Sequence, residues 1–194
     1  MPGEQTTREK WDARYREARG APPPPPLLSD HAHLLPPTGH ALELACGLGA
    51  NALFLAERGL AVNAWDLSPV AIERLRHSAA EREVTLQAEV RDILQAPPAA
   101  GQFDVIVVAH FLDRRLVPAI TAALRPGGLL FYQTWSREAL GPGGPRNPAF
   151  RLARNELLQL FAGLTLIHYH EEGRIGDPGA GWRDQAQLIA QRPD

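Results

Sequence analysis

The chain has 194 residues, 44% of them hydrophobic, and a formal net charge of -2. That is enough apolar material for one full core, too little chain for a second substrate domain, and a charge balance with no global pull on nucleic acid. No apolar run is long enough to span a bilayer, residues 1–10 are polar without a secretory pattern, and a single cysteine, Cys46, excludes an internal disulfide framework. The cytoplasm is therefore the expected compartment.

In chain order, residues 7–19 read as an amphipathic helix, and residues 22–26, all proline, as an extended polyproline connector. A short turn follows near 29–35. Strands are predicted at 41–46, 61–66, 84–90, 103–109 and 128–134. Helices are predicted at 50–58, at 69–81 (with Ser68 as cap and Pro69 in the first turn) and at 113–124. Residues 136–150 are rich in glycine and proline, Asn155 begins a short helix, and residues 164–172 and 183–191 make a closing pair of strands. On this reading residues 1–35 form an N-terminal helix and proline-rich connector, and residues 36–194 one α/β domain.

The densest signal lies at Ala41-Leu42-Glu43-Leu44-Ala45-Cys46-Gly47-Leu48-Gly49-Ala50-Asn51, with Asp66 nineteen residues after Gly47. An apolar strand enters a two-glycine turn, the turn opens a helix, and the next strand ends in a carboxylate able to accept two hydrogen bonds from a ribose diol. Gly47-x-Gly49-x-x-Ala52 by itself satisfies the dinucleotide fingerprint and admits NAD. Glu43 shifts the balance. A carboxylate inside an apolar strand is costly unless it meets a donor, and the ammonium group of S-adenosylmethionine is such a donor where a nicotinamide cofactor has none. Arg91-Asp92-Ile93-Leu94 follows the third strand, where a carboxylate or backbone amide can read an adenine edge. Phe103–Ala109 forms the fourth strand, and Leu124-Arg125-Pro126-Gly127-Gly128 turns into the fifth.

This ordered set resembles the class I S-adenosylmethionine-dependent methyltransferases, over residues 11 to about 191. Trp11-Asp12-x-Arg14-Tyr15 ahead of the glycine turn is most similar to the small-molecule branch that includes tellurite-resistance and thiopurine methyltransferases. The resemblance implies a Rossmann-like α/β fold with a seven-stranded, mostly parallel sheet, helices on both faces and an antiparallel last strand. It further implies transfer of a methyl group to a small-molecule nucleophile by in-line displacement. Carried over by position, it places Glu43, Gly47 and Gly49 at the methionine end of the cofactor, Asp66 at the ribose, and Asp92 and Ile93 near the adenine, with Ala45, Asn51 and Leu67 also among the cofactor-binding residues. Trp11 and Tyr15 become a cover and His110 the methyl-transfer residue. The chain has Ala50 where many relatives have a third glycine. The alternatives are a nicotinamide-dependent oxidoreductase and a non-catalytic S-adenosylmethionine-binding protein.

Several residues carry two readings. Trp11 and Tyr15, four apart on one helix face, are either an aromatic cover for the sulfonium or packing between helix and sheet. His110, after the fourth strand, is either a general base for a hydroxyl or thiol acceptor or a pocket-shaping residue, and Asp113 beside it reads as a helix cap. Cys46 reads as a space-filler under the turn. His31-x-His33 and His168-x-His170 lack a carboxylate or cysteine framework, so no metal is expected. Arg114, Arg115, Arg137, Arg146, Arg151 and Arg154 either pair with an anionic acceptor or are solvated. By resemblance, residues 136–150 form a substrate wall, with a solvated connector as the alternative. The segment after the fourth strand, Ala109-His110-Phe111-Leu112, lacks the Asn-Pro-Pro-Tyr type of motif and so argues against methylation of planar amino groups. No nucleic-acid or membrane partner is expected.

Overall fold

A computed structural model describes residues 6–20 and 22–194. The polar pattern at residues 1–5 and the residue just before the proline run lie outside the described residues. The chain divides at Pro97/Pro98 into two compact units.

The first unit contains α1 (Thr7–Glu17), α2 (Pro26–Asp30), β1 (His40–Leu44), α3 (Ala50–Ala56), β2 (Ala61–Asp66), α4 (Pro69–Glu81) and β3 (Gln87–Val90). A reciprocal capping box starts α1: the Glu9 amide donates to Thr6 Oγ1 at 3.3 Å and the Thr6 amide to Glu9 Oε2 at 2.8 Å. Pro26 opens a helix instead of ending the connector. It occupies the first turn of α2, where a missing N–H costs nothing, and α2 buries Leu27 and Leu28. Ser68 caps α4 as expected, accepting from the Ala71 amide at 3.2 Å. β1 pairs in parallel with β2, and β2 with β3. β3 is shorter than its apolar run implies, because Glu83 takes a left-handed φ of 56° and residues 84–86 extend without pairing.

The second unit contains β4 (Phe103–Ala109), α5 (Val117–Ala123), β5 (Leu124–Trp135), α6 (Glu156–Leu160), β6 (Thr165–His170) and β7 (Gln185–Gln191). β5 runs parallel to β4, and β7 lies antiparallel between β5 and β6. β5 begins four residues earlier than the Arg-Pro-Gly-Gly breaker suggests, since Leu124 already pairs with Phe103 before an irregularity. Gly128 permits this: a Cβ there would stand 2.9 Å from the Arg125 carbonyl oxygen and 3.1 Å from that of Phe103. The seven strands carry the order β3-β2-β1-β4-β5-β7-β6, a mostly parallel sheet with an antiparallel last strand.

Candidate functional site

The turn after β1 is built from left-handed backbone at alternate residues: Ala45 (φ 52°), Gly47 (φ 53°) and Gly49 (φ 75°). Single amides of the turn, of the helix after it and of the neighbouring strand end reach the two buried carboxylates. Gly47 N–H donates to Asp66 Oδ2 at 2.8 Å and Ser68 N–H to Asp66 Oδ1 at 2.9 Å. Ala52 N–H donates to Glu43 Oε2, and Asn51 Nδ2 to Glu43 Oε1, both at 2.8 Å. Glu43 and Asp66 are 3% and 5% exposed, yet each oxygen has a donor, which is what makes their burial tolerable. Burial pushes the Glu43 carboxyl up to about 8, against the downward pull of Asn51 and the Ala52 amide. Burial also raises Asp66, opposed by the Ser68 and Gly47 amides. Asn51 Oδ1 is buried and has no hydrogen-bond partner, so an acceptor waits beside Glu43 for a donor.

Gly49 has a packing role: a Cβ at this position would overlap the isobutyl group of Leu75 on α4. Cys46 is buried, and burial drives its thiol well above the ordinary range, in keeping with a space-filler.

α1 lies across this turn. Tyr15 is half-buried, and its hydroxyl would stand 2.9 Å from a Cβ on Gly47; burial followed by the Asp66 charge raises the phenol, so it stays a neutral donor. Trp11 stacks on Tyr15 with ring centroids 5.6 Å apart and remains 38% exposed. Asp12, the buried residue of the same helix, accepts a hydrogen bond from the Ser68 hydroxyl, and the Tyr15 carbonyl accepts from Arg74 on α4. Sequence reasoning quoted Asp12 within its motif and gave it no role. Its partner lies 56 residues away and no local pattern reports it.

Leu67, half-buried, lies between Asp66 and the helix cap. Asp92 turns its carboxylate back on its own loop, accepting from the Leu94 amide at 3.0 Å and the Gln95 amide at 3.4 Å, while Ile93 is buried. The loop is tied to β2 by the Arg91 amide, 2.8 Å from the Asp66 carbonyl, and by the Arg91 guanidinium, 3.8 Å from the centroid of the Trp65 ring.

In the second unit His110 is exposed, follows β4 directly and adopts φ 56°, a conformation uncommon for a residue with a Cβ. Its amide donates to the Gln133 carbonyl at 2.8 Å and its imidazole Nε2 meets Gln185 Oε1 at 3.1 Å. The ring centroid lies 5.3 Å from that of Trp135. The next residue is held by Tyr132, whose buried hydroxyl donates to the Phe111 carbonyl at 3.0 Å.

Residues 41–128 match the family model described as a methyltransferase domain, and solved structures similar to this chain share its fold. Residues 41–128 are a methyltransferase domain, in a chain with the class I methyltransferase fold. It is 28% identical over 158 residues to a ubiquinone biosynthesis O-methyltransferase of Coxiella burnetii, covering 68% of each chain. It is 36% identical over 138 residues to a protein named hemagglutinin 1 from Eikenella corrodens, covering 67% of this chain and 45% of that one, so it spans less than half of that relative. Among solved structures, one titled for conversion of a disulfide bond into a thioacetal group during echinomycin biosynthesis superposes with a TM-score of 0.72 at 26% identity, covering 97% of this chain and 93% of that chain. TehB from Haemophilus influenzae gives 0.74 at 20% identity over 94% of this chain and 67% of its own.

The donor set of the methyltransferase fits its family's cofactor. Glu43 and the orphaned Asn51 Oδ1 are acceptors suited to an ammonium group, and Asp66, with lone pairs beyond those its two amide donors use, is suited to a ribose diol. Among the described residues no cluster of three histidine, cysteine or carboxylate side chains could hold a metal ion.

The arginines of the methyltransferase's second unit mostly hold its own loops. Arg151 donates to the carbonyls of Pro145 (2.7 Å), Ser136 (2.9 Å) and Gly143. Arg114 pairs with Glu156 at 2.5 Å and bonds the Ala149 and Arg151 carbonyls. Arg115 closes on Asp113, holding that carboxyl below its ordinary range, while the Asp113 carboxylate caps the turn as expected. Arg137 bonds the Pro148 carbonyl and Arg154 faces Glu138 at 3.6 Å. Arg183 does for residues 173–180 what Arg151 does for 136–145, with bonds to the carbonyls of Ala180, Gly173, Ile175 and Asp177. Sequence reasoning missed Arg183, and nothing local marks it.

Proposed function

We propose that the chain transfers the methyl group of S-adenosylmethionine to a small-molecule hydroxyl or thiol. The observation that carries the cofactor half is the pair of buried carboxylates keyed to one glycine turn, with Asn51 Oδ1 left as a spare acceptor beside Glu43. In this reading Glu43, Ala45, Gly47, Gly49 and Asn51 receive the methionine end, Asp66 and Leu67 the ribose, and Asp92 and Ile93 the adenine. Tyr15 and Trp11 cover them, and residues 1–35 are the N-terminal helix and proline-rich connector ahead of the domain at 36–194. Bound S-adenosylmethionine supplies an electrophilic methyl on a positively charged sulfur. The protein's share is to align the acceptor, exclude water and take its proton.

His110 is the base in this reading, placed at the carboxyl end of β4, with its ring held by Gln185 and Trp135. The acceptor class draws support from two similar proteins, one named for O-methylation in ubiquinone biosynthesis and one titled for thioacetal formation. An arginine-lined anion site has less support, since Arg114 and Arg151 are spent on loop carbonyls.

Calorimetric titration with S-adenosylhomocysteine and with NAD tests the cofactor, with saturable binding expected for the first and none for NAD at the same concentration. Binding of NAD alone overturns the reading. Turnover is followed with catechols, aryl thiols, tellurite and selenite, alongside tRNA and a protein mixture. Methylation of tRNA or protein with no small-molecule activity overturns the acceptor class.

A further inference from the structure

β5 and β7 present four side chains on one face at paired positions: Gln133 opposite Gln187, and Trp135 opposite Gln185. Gln133 and Gln187 are 2% and 5% exposed, and two buried amides on strands whose other buried side chains are mostly apolar require a reason. Their hydrogen bonds form a directed chain. Gln187 Nε2 donates to Gln133 Oε1 at 3.2 Å, and Gln133 Nε2 donates to Gln185 Oε1 at 2.8 Å. The same Gln185 oxygen lies 3.1 Å from His110 Nε2.

An amide carbonyl oxygen only accepts, so the imidazole nitrogen facing it must carry the proton. We propose that Gln185, oriented by Gln133 and Gln187, is a positioning residue that fixes His110 as the Nε2–H tautomer and leaves the lone pair on Nδ1. This rests on the reading of His110 as the base and adds which nitrogen acts. When an acceptor hydroxyl gives up its proton, the O–H bond breaks, the electron pair stays on oxygen, and the proton forms a new N–H bond at Nδ1. The imidazolium so made keeps its Nε2–H on Gln185 and lies against the Trp135 face, an aromatic surface that favours a cation. Trp135 is itself seated by the neighbouring loop, because a Cβ on Gly143 would stand 2.9 Å from its ring and one on Gly144 as close as 2.5 Å. The left-handed backbone of His110 then belongs to the same device, since it turns the ring back toward β7 while the amide stays bonded to Gln133.

The test is nitrogen-15 NMR of the full chain labelled at histidine, with the His110 resonances assigned by their loss in His110→Gln. The expected result is a protonated Nε2 and an unprotonated Nδ1 in the neutral ring. Gln185→Glu should keep that tautomer, because it keeps an acceptor, and Gln185→Leu should lose it. Turnover of caffeic acid should fall about tenfold in Gln185→Leu, a fraction of what a general base contributes. S-adenosylhomocysteine affinity and the KM for caffeic acid should stay within about twofold, less than the loss of one hydrogen bond to either ligand would cause, and Gln185→Glu should recover most of the rate. A wild-type ring protonated at Nδ1, or a tautomer unchanged in folded Gln185→Leu, overturns the proposal. If His110→Gln leaves turnover intact, the base reading fails instead, and the tautomer measurement separates the two failures.

Discussion

The glycine turn of the first unit and the two long loops of the second are irregular backbone that follows strands, and they are held by opposite chemistry. In the turn, backbone N–H groups donate to buried carboxylates, Gly47 and Ser68 to Asp66 and Ala52 to Glu43. In the loops, guanidinium groups donate to backbone carbonyls, Arg151 serving 136–145 and Arg183 serving 173–180. The turn keeps acceptors in reserve, as a site for a cationic ligand requires. The loops use their guanidinium donors on themselves, which shapes them and leaves fewer donors for an anionic ligand.

The sharpest way to break this comparison is Gly49→Val. The valine would combine a left-handed φ of 75° with overlap of Leu75, and a β-branched residue tolerates neither, so a loss of more than about 3 kcal/mol is expected by urea denaturation without any ligand. Leu75→Ala in the same chain should restore part of it. A variant of unchanged stability that no longer binds S-adenosylhomocysteine would return the glycine to a purely ligand-facing role.

Next in size are Arg151→Met and Arg183→Met. Each removes three or more hydrogen bonds from a charged donor to loop carbonyls that solvent can partly replace, so a cost of about 1 to 3 kcal/mol is expected. S-adenosylhomocysteine affinity should not change, and turnover should fall. Weakened cofactor affinity with normal turnover would show that the loops do not serve the acceptor.

This contrast also explains what was legible in advance. Gly47, Gly49, Glu43 and Asp66 stand out in sequence because each residue type is unusual for its place: glycine where φ is positive, a carboxylate inside or ending an apolar strand. All seven strands and the helices from residue 50 onward were likewise readable, since burial imposes periods of two and 3.6. Arg183 and Arg151 do not stand out, because their partners are carbonyls that every residue carries. Asp12 needs Ser68 at a distance of 56 residues, and Gln133 and Gln185 meet only through antiparallel register. Pro26 misleads for a related reason: a proline run excludes a helix interior, whereas its last member can begin one.

The carboxylate side of the comparison has a pH signature. Burial raises Glu43 to about 8 and Asp66 in the same direction, so the folded, unliganded protein holds protons that the unfolded chain has released. The contribution of these two groups to stability should therefore be fullest below the ordinary carboxylate range, about 4, and fall as pH rises from there through about 8. Denaturation midpoints between pH 5.5 and 8.5 should show the decline, and Glu43→Gln should flatten much of it. Stability that rises with pH across this window would mean that the amide donors outweigh burial. The arginine-held loops should contribute no slope here, since guanidinium groups keep their charge throughout.

The smallest expected effect concerns α1, the element that lies over the turn. Asp12 is buried and accepts from Ser68, whose oxygen goes on accepting from the Ala71 amide, so Asp12→Ala removes a tie between α1 and α4 while leaving the α4 cap in place. About 1 kcal/mol of stability should be lost, the typical net worth of such a bond. The more telling readout is local. With Asp12 gone, α1 retains the Arg74 contact to the Tyr15 carbonyl, and amide hydrogen exchange over residues 7–17 should quicken while β1 and β2 stay protected. If Tyr15 is a cover, S-adenosylhomocysteine affinity should weaken a few-fold and Arg74→Met added to Asp12→Ala should weaken it further, because both ties hold the same helix. Faster exchange in α1 with unaltered affinity would leave Tyr15 and Trp11 as packing residues and confine the cofactor's holding groups to the turn and its two carboxylates.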